Sequence, residues 1–251
     1  MEKPRIAVIT GAGSGIGKAT AQTFLGEGYN VVMAGRRPDK LAEAIREFGV
    51  APGRALAVPT DTTDEKSVAN LFAKAVEAFG RVDVLFNNAG IASKGVPIED
   101  IPLERWKAAI DANLTGSFLC AREAVRTMKR QSPRGGRIIN NGSVSVHTPR
   151  PNSTPYTASK MGVSGLTKCL ALDCRKYDIF CGQIDIGNAN SDMTAQQAEG
   201  VMQADGSLAI EPRMDVREVA RAVVFMAGQP PDANILHLTV MASKMPLVGR
   251  G

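Results

Sequence analysis

The sequence predicts an α/β fold built on one doubly wound parallel sheet, and three observations carry that expectation. Apolar strand-like runs recur near residues 5–10, 30–34, 54–59, 82–87, 136–141, 179–184 and 235–240, with helix-length segments between most of them. Alternation of this kind sets about seven strands side by side and sends the connecting helices to both faces. The first run, RIAVIT, closes on a glycine-rich phrase that opens an amphipathic helix. A chain of 251 residues also suits one domain with one large core, and no repeat, low-complexity tract or linker divides it.

Composition narrows the function classes. The net charge of +5 is scattered, with no Lys/Arg run of five, so a solvated basic surface is expected rather than a nucleic-acid partner. A modest positive field would still draw in an anionic ligand. Cys120, Cys169, Cys174 and Cys181 lack C-x-x-C spacing and are expected to be reduced and mostly buried. With His147 and His237 the only histidines, no metal site is expected. No stretch reaches bilayer length and MEKPRIAVIT moves straight into strand-like sequence, so the expectation is a cytoplasmic protein without a membrane partner.

Taken in chain order, each strand end offers candidate site residues. After the first strand comes TGAGSGIG, Thr10 to Gly17. Glycines at 11, 15 and 17 suit a tight turn, close backbone approach to a phosphate and close helix packing. Thr10, Gly11, Ser14, Gly15, Ile16 and Gly17 thus form a candidate anion cradle at a helix N-terminus. The spacing G-x-x-x-G-x-G differs from the common dinucleotide fingerprint, and a structural strand-to-helix turn is the alternative.

The second strand ends VVMAGRR, placing Arg36 and Arg37 after Gly35; their guanidinium forks suit a phosphate, or simply solvent. Asp61 and Thr62 follow the third strand in DTTD, where an N-cap or turn is the plain reading. NNAG follows the fourth, with Asn88 as an amide and Ala89 and Gly90 slender enough for a ligand to pass. Trp106 and Phe118 read as core packing for the helix that contains Asn113.

Beyond the fifth strand stand Ser143, then Tyr156, then Lys160 four residues on. If Pro155 opens a helix, Tyr156 and Lys160 share one face, and a nearby ammonium would lower the phenol's pKa towards neutrality. Ser145 joins Ser143 and Tyr156 as a candidate substrate contact, and 92–96 is expected to border the same pocket. His147 and Arg150 read as exposed loop residues, with an anion contact as the alternative. The sixth strand runs into QIDIGNANSDMT, where Asp185 has no assigned role. The irregular stretch 187–214 is expected to be a substrate lid, with a helix starting at Asp215.

The glycine turn, NNAG, Asn113 and the Ser143/Tyr156/Lys160 set together resemble the short-chain dehydrogenase/reductase family, nearly end to end. That resemblance implies a Rossmann-like domain in which Tyr156 is the general acid or base and Ser143 orients the reacting oxygen. It implies that Lys160 binds nicotinamide-ribose hydroxyls and that Asn113 holds a water leading from Lys160 to solvent. Asp61 falls at the family's adenine contact, and Asn88 at a cofactor-proximal asparagine. Gly35 stands where NAD-specific members usually carry an acid, so with Arg36 the expected cofactor is NADP rather than NAD.

The chain departs from the family at Ile186-Gly187, where Pro-Gly is usual, at Ser191 for threonine, and in lacking a C-terminal Asp-Gly-Gly; the resemblance still implies Gly187 and Ser191 as cofactor contacts. A homotetramer is implied, with Ala158, Gly162 and Gly165 as small residues on the catalytic helix. The expected activity is NADP-dependent interconversion of a small carbonyl compound and its alcohol; the alternative is a non-catalytic NADP sensor on the same fold.

Overall fold

The structure is a computed structural model that describes residues 4–92, 95–191 and 200–248. Its strands in chain order are β1 (Ile6–Thr10), β2 (Asn30–Gly35), β3 (Ala55–Pro59), β4 (Val84–Asn87), β5 (Gly136–Asn141), β6 (Ile179–Gly187), β7 (Val201–Met202), β8 (Leu208–Ala209) and β9 (His237–Met241). The helices are α1 (Gly15–Gly26), α2 (Pro38–Phe48), α3 (Glu65–Phe79), α4 (Leu103–Ile110), α5 (Gly116–Arg130), α6 (Thr154–Cys174) and α7 (Val216–Ala227). Among the described residues seven strands form one parallel sheet in the order β3-β2-β1-β4-β5-β6-β9.

Side-chain alternation along these strands sorts the core into two layers. Ile9, Met33, Phe86, Ile139 and Ile184 face α1 and α7, where Phe24, Val219, Val223 and Met226 meet them. Val8, Val32, Leu85, Ile138 and Cys181 face the other way, towards Leu71 and Phe72 of α3 and Leu119, Ala124 and Met128 of α5. Phe24, Met33, Leu71, Phe86 and Met128 are fully buried, and burying a large apolar side chain contributes about 1.5–3 kcal/mol. With both faces covered, β1 is buried at all five positions, which is why it reads as an unbroken apolar run.

Topology then places the site. The chain leaves β1 towards β2 and β3, and returns to put β4 on the opposite side of β1. The crevice above this reversal, at the carboxyl ends of β1 and β4, is where open α/β sheets bind ligands.

The structure adds three features that periodicity did not signal. First, β6 runs on to Gly187, so Gly187 belongs to the sheet and the irregular stretch starts at Asn188. Within that stretch 192–199 lies outside the described residues, and 200–214 holds the antiparallel pair β7–β8. Secondly, α4 passes into α5 through a π-helical turn, Asp111–Thr115, with Asn113 buried inside it. Thirdly, Phe118 is 45% exposed and lies under Arg122, because α5 turns Leu119, Cys120, Ala124 and Met128 to the core instead. The helix expected from Asp215 is α7, with the Asp215 carboxylate accepting from the Arg217 amide as its N-cap.

Candidate active site

The turn between β1 and α1 takes its shape from three glycines. Gly11 and Gly15 have φ of +64° and +50°, a region that a β-carbon disfavours. At Gly17 a β-carbon would stand 2.2 Å from the Gly11 carbonyl oxygen, so only glycine lets α1 begin this close to the end of β1. Ser14 precedes α1 without a side-chain cap bond, and the first turn carries no acidic residue. Its amides therefore present an anion-binding end.

The Asn88 segment is sewn onto this turn. The Thr10 hydroxyl oxygen accepts from the amides of Asn88 and Ala89, both at 2.9 Å. The Asn88 side chain donates to the Thr10 carbonyl at 3.0 Å and accepts from Asn141 Nδ2 at 3.0 Å, linking β1, β4 and β5 at their carboxyl ends. Gly90 lies against Asn113, where a β-carbon would come within 2.7 Å of Asn113 Oδ1.

At the outer end of the crevice Arg36 and Arg37 are exposed beyond β2. A β-carbon built on Gly35 would meet Leu41 Cδ2 at 3.6 Å and the amides of Ala12 and Gly13 at 4.0 Å, without a clash. Asp61 Oδ1 accepts from the Thr63 amide and hydroxyl, which together with Arg36 hold its carboxyl below the usual range. Thr62 packs against Gly116 of α5.

At the inner end, Pro155 sits in the first turn of α6 and puts Tyr156 and Lys160 on one face, with Lys160 Nζ 5.7 Å from the Tyr156 ring centre. Burial pushes the Tyr156 phenol up; a hydrogen bond with Ser143 and the charge of Arg150 pull it down, and Asp185 adds to the rise. The ammonium expected to lower this phenol is directed elsewhere, donating to the Asn141 carbonyl at 2.8 Å. Burial brings Lys160 itself down to about 8, with Asp185 opposing. Desolvation thus dominates both groups.

Asn113 is fastened by its side chain. Its amide donates to the Ile91 carbonyl at 3.1 Å and to Ser159 Oγ at 3.0 Å, while its oxygen accepts from the Ile91 amide at 2.7 Å. Both amide hydrogens are spent, so a water linking Asn113 to Lys160 can only donate to it.

A cleft of about 1230 Å³ joins these pieces, lined among others by Ile16, Asn88, Ser143, Tyr156, Lys160 and Ser191. Ser145 also lines it, and its buried hydroxyl has no hydrogen-bond partner among the described residues. Ser191 stands against Gly15, whose β-carbon would come 3.2 Å from it. Gly187 faces the sheet edge instead, packed against Met241 and Met245, and leaves Ile186 and Asn188 to line the cleft.

Two polar pairs escaped the sequence reading. Arg150 is not a free loop residue: it donates to Asn188 Oδ1 at 2.8 Å and pairs with the buried Glu211, tying 200–214 to the loop before α6. His147 pairs with the buried Asp185. The partners are 61 and 38 residues apart, so no local spacing announces either pair.

The chain is similar in sequence and fold to known proteins. The profile of the short chain dehydrogenase family matches residues 5–201. A trans-4-hydroxycyclohexanecarboxylate dehydrogenase of Sinomonas cyclohexanicum is 37% identical over 230 residues, covering 89% of this chain and 86% of that protein. A 3-ketoacyl-(acyl-carrier-protein) reductase from Brucella melitensis, solved with NADH, superposes with a TM-score of 0.84 at 27% identity over 96% of this chain and 98% of its own. An actinorhodin polyketide ketoreductase variant, solved with NADPH, gives 0.85 at 28% identity over 95% and 96%.

The buried lysine sets a pH signature. Because its folded pKa of about 8 lies below the ordinary 10.5, the unfolded chain holds the proton more tightly between those values. Its burial therefore costs the most stability below pH 8, and the cost fades as pH rises towards 10.5. Lys160→Met removes the charge but also the donor to the Asn141 carbonyl, so its stability relative to wild type is expected to be highest at pH 7 and to fall by about 1–3 kcal/mol towards pH 9.5. Denaturant titrations of the two proteins from pH 7 to 9.5 should show that fall; a constant or rising relative stability would contradict the assignment.

Proposed function

Because the chain belongs to the short chain dehydrogenase family, we propose that it is an NADP-dependent oxidoreductase interconverting a small carbonyl compound and its alcohol, with Tyr156 as the proton-transferring group. The observation that carries this reading is the single cleft shared by the glycine turn and the Ser143/Tyr156/Lys160 set. When bound, the nicotinamide cofactor supplies or accepts the hydride. The residues present fit it: the Gly11 to Gly17 backbone and the start of α1 would hold the pyrophosphate, and Asn88 to Gly90 would border the ribose.

In reduction, Tyr156 Oη gives its proton to the carbonyl oxygen while the Ser143 hydroxyl orients that oxygen; oxidation of the alcohol runs the same transfer backwards. The high phenol pKa favours the donor form, and Ser143 and Arg150 supply the pull towards phenolate. Lys160 holds ribose hydroxyls, and Asn113, pinned to Ile91 and Ser159, keeps α5 and α6 in register beneath them. The unpartnered Ser145 hydroxyl meets the substrate, and Gly200, Val201, Met202 and Leu208 of the described segment 200–214 border the cleft.

The cofactor preference rests on charge and space. Gly35 leaves room beside the Ala12 and Gly13 amides, and Arg36 supplies a cation for a 2′-phosphate, with Arg37 assisting. Asp61, at the position that the family resemblance gives to the adenine contact, would meet the adenine. Turnover of cyclic hydroxy acids, hydroxysteroids and 3-oxoacyl thioesters with both cofactors tests the reading: activity is expected with at least one, and NADP should bind more tightly than NAD. Arg36→Ala should cut that preference about tenfold to a hundredfold, the worth of one charge-assisted hydrogen bond. Cofactor binding with no turnover of any compound would leave a sensor, and unchanged discrimination after loss of both arginines would remove them from selection.

We also propose a cytoplasmic homotetramer. A groove of about 470 Å³ between α5 and α6 is lined by Phe118, Val125, Leu166 and Leu170, and Phe118 is 45% exposed. Such an apolar face on paired helices suits a second copy of the chain. Gly162 is not free for that contact, since Leu114 fills its space from within the chain. Sedimentation equilibrium should give four chains, and Leu166→Glu with Leu170→Glu should lower that number; a wild-type monomer would contradict the proposal.

A further inference from the structure

Asp185 is 1% exposed, and burying a carboxylate is costly unless donors surround it. Its three partners come from the loop after β5 and from β6 itself. Oδ1 accepts from the Ser143 amide at 3.1 Å and from Gln183 Nε2 at 2.6 Å. Oδ2 lies 3.2 Å from His147 Nε2, and the His147 side chain is 61% exposed. Gln183 is anchored in turn, donating to Ser164 Oγ at 2.9 Å and lying 3.1 Å from the Thr167 hydroxyl, both on α6.

The neighbouring strand end is cut to fit this carboxylate. A β-carbon at Gly142 would lie 2.1 Å from Asp185 Oδ1 and 2.6 Å from Gln183 Nε2, so any side chain at 142 would push both groups out of this arrangement. Residue 143, the next one along, carries the hydroxyl assigned to the reacting oxygen. Its own amide, rather than its side chain, is what Asp185 holds.

We propose that Asp185 is a positioning residue of the active site, whose carboxylate, steadied by Gln183 inside and His147 outside, fixes the Ser143 backbone and through it the Ser143 hydroxyl. The proposal rests on the oxidoreductase reading for what Ser143 does, but not for how Ser143 is held. Asp185 does not line the cleft, so it acts through Ser143 and not on substrate. The charged and titratable groups that face it are His147 from the loop after β5 and Tyr156 and Lys160 from α6. Its charge holds the proton on both α6 groups more tightly.

Asp185→Asn keeps an acceptor for the Ser143 amide and can donate to His147, whereas Asp185→Ala removes the acceptor. With the best compound of the turnover panel, Asp185→Ala should lose about tenfold or more in kcat with cofactor affinity unchanged, while Asp185→Asn recovers to within about threefold of wild type. Asn should also move the rising limb of alcohol oxidation to lower pH, since both α6 groups then release protons more readily. Hydrogen exchange at the Ser143 amide gives a readout free of turnover, and should be about tenfold faster in Ala than in Asn or wild type.

His147→Ala, at an exposed position, serves if Asp185→Ala fails to fold, and should raise Ser143 exchange about threefold by freeing Oδ2. Wild-type exchange in Asp185→Ala, or in His147→Ala where Ala does not fold, would overturn the proposal. So would an Asn variant as impaired as Ala. An inactive wild type would instead count against the oxidoreductase reading, with the exchange data still deciding whether Asp185 holds Ser143.

Discussion

A β-carbon at residue 17 would stand 2.2 Å from the Gly11 carbonyl oxygen, so the first turn of α1 can lie against the end of β1 only because the position is glycine. That close approach organises the edge of the sheet. It frees the amides at the start of α1 for an anion, and it leaves Thr10 to bind the amides of Asn88 and Ala89. Through Asn88 the same contact reaches Asn141, whose carbonyl receives Lys160. The glycine turn and the Lys160 end of the cleft are thus parts of one hydrogen-bonded edge.

Beneath that edge, the face of the sheet under α6 is polar where one expects oil. Asn87 donates to Asn140 at 2.9 Å, Asn140 to the Thr167 hydroxyl at 2.9 Å, and Thr167 lies within 3.1 Å of Gln183, which reaches Asp185. These side chains are almost fully buried. Interior networks of this kind add little net stability, yet leaving one member unpaired is expensive, so they favour one arrangement over near alternatives. Here the arrangement favoured is the placement of α6, and with it Tyr156 and Lys160, over β5 and β6.

The sequence made legible what is local. Strands buried on both faces show as apolar runs, and β1, β2 and β5 fall within a residue or so of where those runs stand. Tyr156 and Lys160 could be paired because four residues make one helical turn once Pro155 sets its start. The β7–β8 pair was invisible because strands of two residues carry no period, and the π-turn at Asn113 because a one-residue change of helical pitch has no compositional mark. Phe118 misled because an aromatic residue reads as core until its face of α5 is known. Asp185 had no role until His147, Gln183 and the Ser143 amide, brought together only by the fold, stood around it.

The central claim is that Tyr156 carries the proton in a cleft that binds cofactor by other means. Tyr156→Phe deletes the phenolic oxygen and keeps the ring, so binding and chemistry should come apart. Paired measurements of NADPH affinity and of kcat with the best compound are predicted to show affinity within about twofold of wild type and turnover lower by about a hundredfold to ten-thousandfold. Full turnover in the Phe variant would contradict the account.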